Sequence, residues 1–227
     1  MIRNSISHNN ITRNVLCGLI FTVCLFVLSC GKRNSTHNYD PTTSSGTTSS
    51  GTKQWTKQLG TSSGDSGEGV TTDSSGNIYV TGYTYGGLDG NTNSGSLDIF
   101  LVKYNSSGTK QWTKQLGTSS FDRGDGVTTD SSGNIYVTGY TNGDLDGNIN
   151  INWEKSDIFL VKYNSSGTKQ WTKQLGTSSH ERGHGVTTDS SGNIYVTGYT
   201  TGDLDGNTKS GNHDIFLVKY NSSGTKQ

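Results

Sequence analysis

Asp98-Ile-Phe-Leu-Val-Lys-Tyr-Asn-Ser-Ser-Gly-Thr-Lys-Gln-Trp-Thr-Lys-Gln-Leu-Gly117 returns letter for letter from Asp157 to Gly176, and the run begins again at Asp214. It reads as two strands joined by a turn. Ile99 and Leu101 alternate with Phe100, Val102 and Tyr104, so a strand over Ile99–Tyr104 carries apolar side chains on both faces. A sheet packed between two other sheets satisfies both faces, and this requirement sets the expected architecture.

Working outward, Trp55, Trp112 and Trp171 are spaced by 57 and 59 residues, and Asp73, Asp130 and Asp189 repeat that spacing. The two additional residues of the middle copy fall between Gly139 and Asp157, where Ile149-Asn-Ile-Asn-Trp-Glu-Lys155 stands. An insertion there leaves the strands in register. Each copy offers four strand candidates separated by turn signals. In the first copy they are Gly69–Thr72, Ile78–Tyr83, Ile99–Tyr104 and Lys110–Leu116. Asp73-Ser-Ser-Gly-Asn77 and Asn105-Ser-Ser-Gly108 supply turns in which Asp or Asn can accept backbone amides and Gly can take positive φ. No window has a helical period. The first strand, built of Gly, Val and Thr, suits an axis where bulky side chains would collide. Four strands per unit, small inside and aromatic outside, is the pattern of a β-propeller blade.

Asp73-Ser-Ser-Gly-Asn-Ile-Tyr-Val-Thr-Gly-Tyr-Thr84, recurring at Asp130–Thr141 and Asp189–Thr200, resembles the SBBP repeat of bacterial β-propeller lipoproteins. The likeness covers residues 53–227. It implies exported propellers, commonly seven-bladed and often lipid-anchored, without a shared catalytic set. The fold class expected is therefore all-β, with blades of four antiparallel strands. This chain departs from the family in blade number. Taking Lys53–Leu59 as a leading fourth strand gives twelve strands, or about three blades, whereas closed propellers have about four to eight. Truncation of a longer repeat protein, self-assembly into a six-bladed ring and an open curved stack are the three explanations, with truncation favoured because the chain stops within a strand motif at Lys226 and Gln227.

The amino-terminal stretch sets the expected address. Arg3 and Arg13 precede an apolar run from Val15 to Leu28, and no acidic residue occurs before Cys30. This is the pattern of a secretory signal over residues 1–29. The run of about 14 residues falls short of the roughly 20 that span a bilayer. Val27-Leu28-Ser29-Cys30 resembles the bacterial lipobox, which implies cleavage before Cys30 and a diacylglyceryl group on its thiol. The membrane partner is then reached through that lipid, and the resemblance favours the outer membrane because Gly31 replaces the Asp that retains many such proteins at the inner one. Residues 30–52, rich in Ser, Thr and Gly with the single Pro41, read as the lipidated cysteine and a flexible linker before the repeats at 53–227. Cleavage removes Cys17 and Cys24, which rules out an intramolecular disulfide in the mature chain. Losing Arg3 and Arg13 takes the formal net charge from 0 to −2, which provides no electrostatic footprint for nucleic acid.

Two motifs bear on chemistry. His180-Glu-Arg-Gly-His184 matches the H-E-x-x-H zinc signature. That signature needs a helix to set both imidazoles on one face; here Gly183 interrupts the run and the other copies read Phe121-Asp-Arg-Gly-Asp125 and Gly64-Asp-Ser-Gly-Glu68. The slot reads as a variable polar loop, and a metal-dependent hydrolase is the remote alternative. Asp144, Asp146 and Asn148, with Asp203, Asp205 and Asn207, place hard oxygens in Gly-bearing loops where calcium is a candidate cofactor; Asx turns closing a surface loop explain the same letters. No catalytic residue and no other cofactor are expected. The function expected is that of a non-catalytic, lipid-anchored envelope protein. Its variable loops, Thr61–Glu68 and Tyr85–Leu97 with their counterparts, would bind a protein or glycan. A structural remnant of a longer repeat protein is the alternative from another class.

Overall fold

The computed structural model describes residues 51–227. The expected signal over 1–29, Cys30 and the linker as far as residue 50 lie outside the described residues. Residues 52–227 form one compact unit.

The first sheet contains β1 (Asp65–Thr72), β2 (Ile78–Thr84), β3 (Asp98–Tyr104) and β4 (Lys110–Leu116), antiparallel and in chain order. The second repeats it with β5 (Asp122–Thr129), β6 (Ile135–Thr141), β7 (Asp157–Tyr163) and β8 (Lys169–Leu175). The third has three strands, β9 (Glu181–Thr188), β10 (Ile194–Thr200) and β11 (Asp214–Tyr220). This all-β stack of blade-like sheets is the architecture that the alternation in Ile99–Tyr104 requires.

Burial follows that alternation. Ile99 and Leu101 join Ile135, Val137, Phe159 and Val161 in one core between the first two sheets. Ile158 and Leu160, on the opposite face of the middle sheet, join Ile194, Val196, Phe216 and Val218 in a second. Each such side chain contributes roughly 1.5–3 kcal/mol on removal from water. Phe100 and Val102 lie with Leu88 on the outer face of the first sheet.

The innermost strands touch in sequence, β1 against β5 and β5 against β9. Gly is needed at this approach. A Cβ on Gly69 would lie 2.8 Å from the Asp125 carbonyl oxygen, and one on Gly126 would lie 2.7 Å from that of His184. Thr129 Oγ1 donates to Thr72 O at 3.1 Å, and Thr188 Oγ1 to Thr129 O at 3.2 Å, so the same bond links each pair of neighbouring blades. The turn after each first strand is built as its letters suggest. Asp130 accepts from Ser132 N, Asn134 N, Asn134 Nδ2 and Tyr136 Oη at 2.8–2.9 Å, while Gly133 takes φ 79°. Burial alone would raise the Asp130 carboxyl; the hydrogen bonds outweigh it and hold it below the usual range.

Two expectations are corrected. Lys53–Leu59 has no sheet partner and is not a strand, so eleven strands rather than twelve occur among the described residues. A strand exists only where a neighbour completes its ladder, and this segment has none. The first strands also begin earlier than Gly69, at Asp65, Asp122 and Glu181. Pairing with the second strand carries the ladder across a bulge, between Gly67 and Gly69 and between Gly124 and Gly126, into letters that look like loop.

Candidate functional site

The three copies are almost identical in their second, third and fourth strands and differ chiefly at two segments, 64–68 and 85–97 in the first copy with their counterparts. The fold joins these segments. Tyr85 N donates to Gly64 O at 2.9 Å, Asn142 N to Phe121 O at 2.9 Å, and Thr201 N to His180 O at 2.8 Å. The residue before each variable first strand is thereby joined to the rim loop of its own blade.

The repeated letters build a fixed base beneath it. Asp122 accepts from Thr118 N at 2.6 Å and from the hydroxyls of Thr118 and Thr141; Glu181 likewise accepts from Thr177 N at 2.7 Å and Thr200 Oγ1 at 2.8 Å. Burial raises the Asp122 carboxyl, and these donors work against the rise. Gln174 ties the loop of the middle blade down: its Oε1 accepts Leu145 N at 3.2 Å, and its Nε2 donates to Gly143 O at 3.2 Å and Asp157 Oδ2 at 2.9 Å. Leu145, in a single 3-10 turn over Leu145–Gly147, is fully buried.

On that base stand exposed apolar side chains. Ile149, Ile151 and Trp153 are 79%, 66% and 75% exposed, with Phe121 and Tyr85 half-exposed on the same rim. Three large apolar side chains within five residues, standing on an anchored loop, match the anchors of an interaction surface.

The sequence-predicted residues are placed as follows. Asp144 Oδ1 accepts Asn150 N at 2.8 Å, Asp146 is paired with Lys169 and Thr172, and Asn148 Nδ2 donates to Leu145 O at 2.7 Å. Asp203 Oδ1 accepts Lys209 N at 2.9 Å, Asp205 is paired with Lys226, and Asn207 Nδ2 donates to Leu204 O at 2.9 Å. The six side chains have separate partners, and lysine ammonium groups stand against Asp146 and Asp205. Asp146 and Asp205 adopt φ 55°, a left-handed conformation that Asp tolerates. Asp144 and Asp203 thus each close their loop by accepting the backbone amide six residues on. In the H-E-x-x-H run, His180 precedes β9 and His184 lies within it. His180 Nδ1 meets Ser156 Oγ at 3.1 Å, His184 Nδ1 lies 3.6 Å from Asp125 Oδ2, and Glu181 is taken up by Thr177 and Thr200. The two imidazoles meet different parts of the middle blade, His180 the residue before β7 and His184 a side chain of β5. The polar-loop reading of this slot is corrected to strand. Cys30 lies outside the described residues.

Sequence reasoning missed a charged ladder across the inner strands. Arg123 bonds Glu68 of the first blade at 3.0 Å and Asp125 of its own at 2.7 Å, and His184 of the third approaches Asp125. Arg123 and Arg182 lie over the rings of Tyr83 and Tyr140, at 5.0 and 4.2 Å. The signal available was that the variable letters 66 and 68 alternate with glycine, as strand positions do.

The model of the SBBP β-propeller repeat matches residues 54–89, 111–146 and 170–205. This chain is an SBBP β-propeller repeat protein. Its SBBP repeats are 29% identical over 188 residues to an uncharacterized WD repeat-containing protein of Acanthamoeba polyphaga mimivirus, covering 65% of this chain and 13% of that protein. They are also 29% identical over 171 residues to the regulatory protein FlaEY of Caulobacter vibrioides, covering 69% of this chain and 18% of FlaEY. The SBBP chain thus spans under a fifth of either curated relative. A solved structure of a protein of unknown function from Bacteroides caccae aligns over 72% of this chain and 66% of its own, at 13% identity and a TM-score of 0.28. That likeness is too loose to add to the fold described above.

Proposed function

We propose that the protein is a non-catalytic scaffold, anchored to a cell envelope by lipid on Cys30, that binds a protein or glycan with the variable rim of its blades. The observation that carries this reading is the division of labour within the repeat. The second and third strands are copied without change, variation is concentrated in the start of the first strand and in the rim loop bonded to it, and the most divergent loop displays Ile149, Ile151 and Trp153 to solvent. A catalytic centre needs different groups converging once; a rim of alternating identities on a repeated frame suits recognition instead.

The test is capture of the full chain on arrays of envelope glycans and envelope proteins, beside a variant carrying Ile149→Ser, Ile151→Ser and Trp153→Ser. Binding should fall at least tenfold with the melting temperature unchanged. Equal capture by both proteins would remove this loop from the account. For the anchor, Cys30→Ser should move the protein from the membrane pellet to the soluble fraction; an unchanged distribution would refute lipid attachment at that residue.

A further inference from the structure

Arg123 and Arg182 hold the same place in successive copies, Asp122-Arg-Gly-Asp125 and Glu181-Arg-Gly-His184, yet only one of them is paired. The Arg123 guanidinium has two carboxylates. Its Nε bonds Asp125 Oδ1, two residues on in the same strand, at 2.7 Å, and its Nη2 bonds Glu68 Oε2 of the preceding blade at 3.0 Å. For Arg182 the same two places hold His184 and Asp125, and Asp125 is already taken by Arg123. Arg182 Nε is buried without a hydrogen-bond partner among the described residues, and its guanidinium lies 4.2 Å from the Tyr140 ring. Both places that would supply an acid fall inside the chain, at the seam of its second and third blades. A buried guanidinium N–H with no acceptor carries the cost of its lost hydration, and a carboxylate is the group that fits its planar fork.

The neighbourhood of Arg182 is basic and polar. Residues 180 and 182 alternate along the extended chain and so share a face, and both meet the middle blade. His180 Nδ1 accepts Ser156 N at 3.2 Å, which leaves Nε2 as the donor of the ring. Burial first, and then the Lys155 ammonium and the Arg182 guanidinium, hold His180 below its ordinary range, so the three basic groups stand close enough to feel one another. Glu181 is taken up by Thr177 and Thr200, and Asp157 by Gln174. The rim loop of the middle blade reaches over the same seam: Asn152 Nδ2 donates to Ser178 O at 3.3 Å, and Lys155 N to Asn152 O at 2.7 Å, with the exposed indole of Trp153 between them. Ser178 also borders a cleft of about 300 Å³ with Ser179, Thr201 and Lys209.

We infer that the seam between the middle and third blades binds a uronate, a sugar bearing a carboxylate. Arg182 takes the carboxylate in the role that Asp125 fills for Arg123, Lys155 adds a second cation, and Trp153 offers its ring face to the sugar. The inference rests on the reading of the rim as a recognition surface and names a ligand class for it. A flat, exposed indole with an apolar body suits the C–H face of a sugar, and the hydroxyls of Ser178 and Ser179 match those of a glycan. His184 is the letter that frees Arg182: with an acid there, as at Asp125, the guanidinium would be paired within its own strand.

Calorimetric titration of the full chain in detergent with an oligogalacturonate tests this, beside its methyl ester, an uncharged galactan and an oligoglutamate. The oligogalacturonate should bind, and the methyl ester and the galactan should bind at least tenfold more weakly. His184→Asp should lower the affinity for oligogalacturonate at least tenfold with no fall in melting temperature, a combination that loss of the fold would not produce. Lys155→Gln should weaken binding in the same direction. Equal binding of the acid and its methyl ester, or wild-type affinity in His184→Asp, would overturn the role of Arg182. Oligoglutamate binding as tightly as the sugar acid would overturn the sugar, and no binding of any of the four would overturn the site. The reading of the rim itself falls by a separate result, equal array capture by the wild type and the variant changed at Ile149, Ile151 and Trp153.

Discussion

Replacing Asp157 by Asn probes a carboxylate that the rim loop holds against its own charge. The side chain is 1% exposed; one oxygen accepts Gln174 Nε2 at 2.9 Å and the other has no hydrogen-bond partner among the described residues. Burial, reinforced by Glu181 and Asp144 and opposed by Gln174, pushes its pKa up from 3.8 to about 6. A carboxyl with a folded pKa above its unfolded one binds its proton more tightly in the folded state. Its contribution to stability is therefore full below about pH 4, falls as the pH rises towards 6, and is gone above that. A gap of about two units corresponds to about 3 kcal/mol. Asp130 is shifted the other way, so the difference between variant and wild type is the quantity to read. Asn keeps an acceptor for Gln174 and carries no charge. In urea unfolding, the stability of Asp157→Asn relative to wild type should be about 3 kcal/mol more favourable at about pH 7.5 than at about pH 3.5. A difference between the two proteins that is the same at both pH values would refute the reasoning.

Three further outcomes are expected. Gly139→Ala places a Cβ 1.9 Å from the Arg123 carbonyl oxygen and should cost about 3 kcal/mol or more, whereas Gly67→Ala meets only Val80 Cγ1 at 3.5 Å and should change the melting temperature little. Equal melting of the two variants would contradict the close approach at the second strand. Asp130→Ala leaves Ser132 N, Asn134 and the hydroxyl of buried Tyr136 without their acceptor and should cost about 2–4 kcal/mol by denaturant titration. Leu145→Ala removes the fully buried plug of the rim loop and should destabilise by about 2–5 kcal/mol; amide exchange should show faster opening across 142–155, and protection equal to wild type there would sink the anchoring role.

Much of the architecture was legible because alternation in Ile99–Tyr104 demands apolar neighbours on both faces, and because a period of 57 to 59 residues leaves room for one four-stranded sheet per copy. Lys53–Leu59 was not legible. Its letters equal those of β4, so no local property separates the two, and the difference lies only in whether a partner strand is present. The slots at 65–68, 122–125 and 181–184 misled for the opposite reason: Gly, Ser, Asp and Arg have low intrinsic strand preference, and the ladder to the second strand overrides it. The location of the rim in 85–97 was readable from variation among copies. Its union with the preceding strand end depends on backbone bonds such as Asn142 N to Phe121 O, which no local pattern encodes. The oxygens of Asp146 and Asp205 looked free in the sequence because the lysines that take them lie more than twenty residues away.

The matched repeats 111–146 and 170–205 each contain most of the fourth strand of one blade followed by the first two strands of the next. The unit of sequence is thus out of phase with the unit of structure. Duplicating or deleting one such unit at the level of the gene transfers a complete seam, with its tryptophan, its threonine stitch and half of its rim, instead of a whole sheet. Lineages carrying this repeat can lengthen or shorten the stack in single steps while every new seam arrives already fitted to its neighbours, and the rim letters are then free to diverge.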